Sequence, residues 1–130
     1  MTTDILMLIL SAILCVAQTL PYAMGIAAEH GNALLMGNRE NMPPITGWPG
    51  RAMRAHGNML ENLLPFTALV LAAHLTGHVG YLTQLGAIVF FVARAAYVVI
   101  YIAGIPGLRT LAWLVCVVGM GLIAVNTLFL

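Results

Sequence analysis

Four apolar runs, each long enough to cross the roughly 30 Å hydrocarbon core of a bilayer, are parted by three breaks rich in glycine and proline. The runs predict helices over about 4–28, 51–75, 81–103 and 108–129. The first break, 29–50, holds Gly31, Gly37, Pro43, Pro44, Gly47, Pro49 and Gly50 and reads as a loop of about twenty residues, long enough to carry function. The other two are tight returns, 76–80 and 104–107. Pro21 and Pro65 fall inside predicted helices and should kink them. At 62% hydrophobic and 7% charged residues, with a mean hydropathy of +0.99, the chain lacks the polar surface a soluble globule of 130 residues needs. The expected fold is therefore all-α, a single domain over 1–130: an integral membrane four-helix bundle, up-down-up-down. The first run has no basic segment ahead of it and no clear small-residue cleavage site, so it reads as a mature helix. A net charge of +1 argues against nucleic acid as a partner.

The predicted second helix opens on charge. Arg51, Arg54, Asn58 and Glu61 lie at i, i+3, i+7 and i+10 and share one helix face, after which the run is apolar with only His74 to interrupt it. A helix that passes from a charged mouth into hydrocarbon turns that face toward other protein, not lipid. All five cations are arginine, whose forked donors suit carboxylates and other anions. Arg39, Arg51, Arg54 and Arg109 gather at one end of the bundle, whereas the other end offers Asp4 and two histidines. The positive-inside rule then places loop 29–50 and the turn between the third and fourth helices in the cytoplasm.

Arg94 is the only formal charge between Asn62 and Leu108. An arginine at mid-helix costs roughly 2.5–3.5 kcal/mol on insertion scales, so it should face the bundle interior and find a partner. At 1.5 Å per residue, Glu61 and Arg94 each lie roughly 15 Å inward from the same membrane face, which predicts a buried Glu61–Arg94 ion pair. Tyr97 and Tyr101 follow at i+3 and i+7 between Arg94 and that face. With Arg54, Asn58 and Arg109 they form a polar wedge in an apolar bundle. Such a wedge suits an anionic hydrophilic ligand in the cleft and an apolar one entering from the bilayer. The competing reading is purely structural, with Glu61 and Arg94 tying helices together and the tyrosines lying at the membrane interface.

Two blocks of residues resemble a known family. Gly47-Trp48, Arg51-Ala52, Arg54-Ala55-His56, Asn58, Glu61-Asn62 and Pro65-Phe66 are similar to the signature of the membrane-associated proteins in eicosanoid and glutathione metabolism (MAPEG), with spacing closest to bacterial members. Ala93-Arg94, Tyr97, Tyr101, Gly104, Pro106 and Arg109-Thr110 form a second matching block, and the four-helix pattern extends the likeness over nearly the whole chain. The resemblance implies a homotrimer in a bacterial inner membrane, with reduced glutathione bound between subunits on the cytoplasmic side. It places Arg54, Asn58, Glu61 and Tyr101 on glutathione-contacting positions, Arg109 on the position of a thiolate-stabilising arginine, and Thr110 on a neighbouring hydroxyl position. With Arg94 and Tyr97 from the wedge, these are the candidate site residues. A cation or hydroxyl donor beside a thiol of pKa about 8.5 lowers that pKa and makes it nucleophilic at neutral pH. The implied activity is glutathione transfer to a lipophilic electrophile, or reduction of a lipid hydroperoxide; the alternative is a non-catalytic member that binds lipid or acts as a scaffold.

Departures from the family pattern narrow this. Gly57 stands where some of the enzymes carry another basic residue, Tyr97 where one branch has histidine, and Trp113 about where that branch has tyrosine, which argues against prostaglandin-type isomerisation. Other residues invite plainer readings. His74 and His78 have the i, i+4 spacing of helical zinc ligands, but Gly77 breaks the helix between them and no third ligand is evident, so no metal is expected. His56 should bond a loop carbonyl or a phosphate headgroup, and Trp48 should anchor at the interface. Cys15 and Cys116 should be buried thiols, while Gly119 and Gly121 should allow close helix contact.

Overall fold

The computed structural model describes all residues, 1–130, as six helices and no strand: α1 (Thr3–Ala17), α2 (Thr19–His30), α3 (Asn32–Met36), α4 (Gly47–Thr76), α5 (Tyr81–Ala103) and α6 (Pro106–Phe129). Four continuous helical stretches are long and apolar enough to span a membrane: Thr3–His30, Gly47–Thr76, Tyr81–Ala103 and Pro106–Phe129. The molecule is an all-α integral membrane bundle.

The first span breaks at Gln18, three residues before Pro21. Pro21 has no N–H to offer the Ala17 carbonyl, so the helical ladder fails one turn upstream of the ring. Thr19 Oγ1 donates to Val16 O at 2.7 Å across the break. Within the loop predicted over 29–50, residues Asn32–Met36 form the short helix α3. The second span starts at Gly47, four residues before the predicted Arg51, because Pro49 occupies its first turn, where a missing N–H costs nothing. Pro65 sits inside α4 without ending it.

Close backbone approach at glycine positions sets how the helices meet. A Cβ on Gly25 would stand 2.6 Å from Pro49 Cβ, so α2 crosses the entrance of α4 only because residue 25 is glycine. Gly119 of α6 faces Gly86 of α5, and a Cβ on Gly119 would lie 2.7 Å from Gly86 O; Gly121, by contrast, points into open space. Of the two glycines predicted to permit contact, Gly119 alone makes one. The main core lies beside this crossing, where Phe66 stacks on Phe90 at 3.8 Å between centroids, with Val70, Ala87, Ala93, Cys116 and Ile123 around them.

One end of the bundle is closed by a contact absent from the sequence reading. Asp4 is fully buried and its Oδ2 lies 2.7 Å from His74 Nε2, joining the start of α1 to the end of α4. His78 serves through its backbone: its carbonyl accepts Asn126 Nδ2 at 2.9 Å, which ties the turn before α5 to the end of α6.

Candidate functional site

The opposite end is where the polar side chains converge. The entrance of α4, the last turns of α5 and the first turns of α6 surround a cleft of about 540 Å³ lined by Arg54, Asn58, Glu61, Tyr97, Tyr101, Arg109 and Thr110, with Gly57 and Trp113 completing the wall. Seven of the eight candidate residues thus line one cleft. The eighth, Arg94, is 1% exposed and lies outside the lining.

Arg94 meets α4 through neutral partners. Its Nη1 donates to Asn58 Oδ1 at 2.8 Å and its Nε to Met59 Sδ at 3.3 Å, while its guanidinium covers the Tyr97 ring at 4.4 Å. The predicted ion pair with Glu61 is absent: the only ion pairs in the chain are His30–Glu29 and His74–Asp4, and Glu61 is exposed in the cleft. Arg94 bonds α4 at Asn58 and Met59, up to one turn nearer the mouth than Glu61, so the two charges do not meet. Asn62, one turn beyond Asn58, is a positioning residue that the sequence reading passed over. Its Nδ2 donates to Asn58 O at 2.8 Å and lies 3.3 Å from Asn58 Oδ1. The available signal was a second amide at i+4 in an apolar run.

From Arg94 outward, the rings of Tyr97 and Tyr101 lie one after the other between two cations. Tyr97 packs edge-on against Tyr101 at 5.5 Å, and Arg109 covers the Tyr101 ring at 4.6 Å. Arg54 Nε donates to Tyr101 Oη at 3.3 Å, which leaves the phenol proton free to point into the cleft. Each cation over a ring contributes about 0.5–2 kcal/mol, more where water is excluded. The stack therefore holds Arg109 at the mouth in a defined place. Thr110 Oγ1 donates to Pro106 O at 3.3 Å, so its hydroxyl can face a ligand only as an acceptor while that bond holds.

His56 lies away from this cleft and does not reach a loop carbonyl. Its ring packs against Tyr22 at 5.5 Å, and Nε2 is 4.0 Å from Cys15 Sγ, because residue 56 turns toward the first span. Cys15 and Cys116 are both buried and unpaired.

Four membrane-length helices with their polar side chains gathered in a cationic cleft at one end define a helical integral membrane protein with a solvated, anion-suited pocket. Residues 2–129 match the model of the MAPEG family, and the chain belongs to that family. It is accordingly a membrane protein of the glutathione and eicosanoid metabolism family. No curated protein and no solved structure matches the chain.

Proposed function

We propose that the protein is a membrane glutathione transferase or peroxidase, in which the cleft activates the thiol of reduced glutathione for attack on a lipophilic electrophile or a lipid hydroperoxide. The observation that carries this reading is Arg109 held over Tyr101 at 4.6 Å, on the wall of a cleft that also presents Arg54, Asn58 and Glu61. Glutathione has two carboxylates, an ammonium group and a thiol. Arg54 suits a carboxylate, Glu61 the ammonium, and Asn58 the peptide groups between them. Arg109 and the Tyr101 phenol then remain for the thiolate, the only group whose charge must be created before reaction. A cation beside it raises the thiolate fraction at neutral pH. Arg94 supports the site from below by fixing Asn58 and Tyr97.

The cleft lies at the membrane end bearing Arg51, Arg54 and Arg109, which the positive-inside rule assigns to the cytoplasm. In this reading the functional unit is a homotrimer in a bacterial inner membrane, neighbouring subunits covering the exposed side of Glu61 and Arg54; native mass spectrometry from detergent reads the assembly directly. Calorimetry with reduced glutathione on the solubilised protein tests the function, together with conjugation assays on a lipophilic electrophile. Binding with turnover is expected. No binding at millimolar glutathione removes this reading and leaves a non-catalytic lipid-binding or scaffold protein.

A further inference from the structure

A smaller cavity of about 230 Å³ adjoins the cleft at the turn between α5 and α6. It shares Arg54, Tyr101 and Arg109 with the cleft and adds Arg51, Gly104, Ile105 and Pro106, so three guanidinium groups line it and no carboxylate does. Arg51 is oriented there by the chain itself. Its Nε donates to Ile102 O at 2.9 Å, satisfying a carbonyl left open at the end of α5, and its terminal nitrogens make no other protein hydrogen bond. Gly104, at φ 81°, turns the chain in the left-handed region and makes room for this; a Cβ there would stand 3.4 Å from Arg51 Nε. Beside the cavity the surface becomes apolar, with Ile105 and Leu108 about half exposed, as in a pocket at the level where headgroups meet acyl chains.

Within the smaller cavity no protein anion answers the three guanidinium groups. The glutathione reading of the cleft assigns a ligand group to Arg54 and to Arg109 but none to Arg51, which leaves that guanidinium free for another anion.

We propose that the smaller cavity binds a phosphate group, either a phosphodiester of an anionic lipid headgroup or free phosphate, with Arg51 as its anchor and Arg54 and Arg109 contributing from the shared wall. Basic pockets between membrane helices hold anionic headgroups in this way, and a forked guanidinium matches phosphate oxygens. That Arg51 is left unused rests on the glutathione reading of the cleft; the three-arginine lining does not.

The test uses the whole protein in two settings. In phosphatidylcholine nanodiscs with and without phosphatidylglycerol, thermal stability and lipid retained in native mass spectra are read. In neutral detergent, inorganic phosphate is titrated against chloride at equal ionic strength. The variants are Arg51→Gln and Ile105→Glu, the second keeping the Arg51–Ile102 bond in case the first does not fold. Stabilisation by phosphatidylglycerol, lost in both variants, identifies a lipid headgroup; saturable binding of phosphate with no preference for phosphatidylglycerol identifies free phosphate. In either case the variants should bind about 10- to 100-fold more weakly, Arg51→Gln by losing one charge-assisted contact and Ile105→Glu by setting a carboxylate against the anion. Neither probe binding, or both variants binding like the parent protein, overturns the proposal. Glutathione calorimetry on the same samples separates the two readings: phosphate bound without glutathione removes the glutathione site alone, and glutathione bound without phosphate removes this one alone.

Discussion

Arg94 reaches across from α5 to hold Asn58 of α4, Nη1 to Oδ1 at 2.8 Å, beneath the floor of the cleft. Asn58 supplies the only oxygen that the buried guanidinium bonds. Asn58→Leu should therefore cost about 1.5–3 kcal/mol, the range for a lost hydrogen bond to a charged group. Glu61→Gln, at an exposed position, should change stability by less than about 0.5 kcal/mol. Unfolding of both variants in detergent measures the contrast, and equal losses would restore Glu61 as the partner of Arg94.

Tyr101→Phe keeps the ring beneath Arg109 and deletes the hydroxyl that accepts from Arg54. Glutathione affinity and turnover should together fall about 10- to 100-fold, the effect of one hydrogen bond to a charged group, with the fold intact. Tyr101→Leu removes the platform of Arg109 as well and should lower turnover further. Calorimetry and steady-state kinetics on the pair separate anchoring from positioning.

Arg109→Leu tests thiolate stabilisation. Loss of a contact made to developing charge should lower kcat by about 10²–10³-fold while KM changes little. The ultraviolet absorbance of bound thiolate, seen on adding glutathione to the parent protein, should disappear in parallel. Unchanged conjugation rates would exclude Arg109 and turn attention to Tyr101.

At the far end of the bundle, His74→Leu leaves the fully buried Asp4 carboxyl without its ring partner. Leaving one buried polar group unsatisfied costs about 1–3 kcal/mol, and Asp4→Leu combined with His74→Leu should recover part of it, as for buried pairs generally. Glutathione binding should persist in both, since neither residue lines the cleft. Thermal unfolding beside calorimetry reads the two effects independently.

Gly119→Val forces side-chain atoms into the backbone of α5 at Gly86 and should destabilise by about 1–3 kcal/mol, as overpacking does. Gly121→Ala, facing open space, should be tolerated. A comparison of their unfolding in detergent tests whether the α5–α6 contact depends on one glycine or on a general preference for small residues.

The number of spans, their helical nature and the gathering of Arg54, Asn58, Tyr97, Tyr101 and Arg109 at one end were all determined by the sequence. Hydropathy is a local property, and depth along a helix is a sum of fixed rises of about 1.5 Å per residue. Tyr97 and Tyr101 had to follow Arg94 on one face for the same reason. Rotation of one helix about its axis relative to the next has no such local source. It follows from which backbones can approach, as at Gly25 against Pro49 and Gly86 against Gly119. Tertiary packing therefore decided that Arg94 meets Asn58 and Met59 and leaves Glu61 to the cleft, and that His56 turns to Tyr22. It also joined Asp4 to His74, two residues seventy positions apart that no periodicity connects.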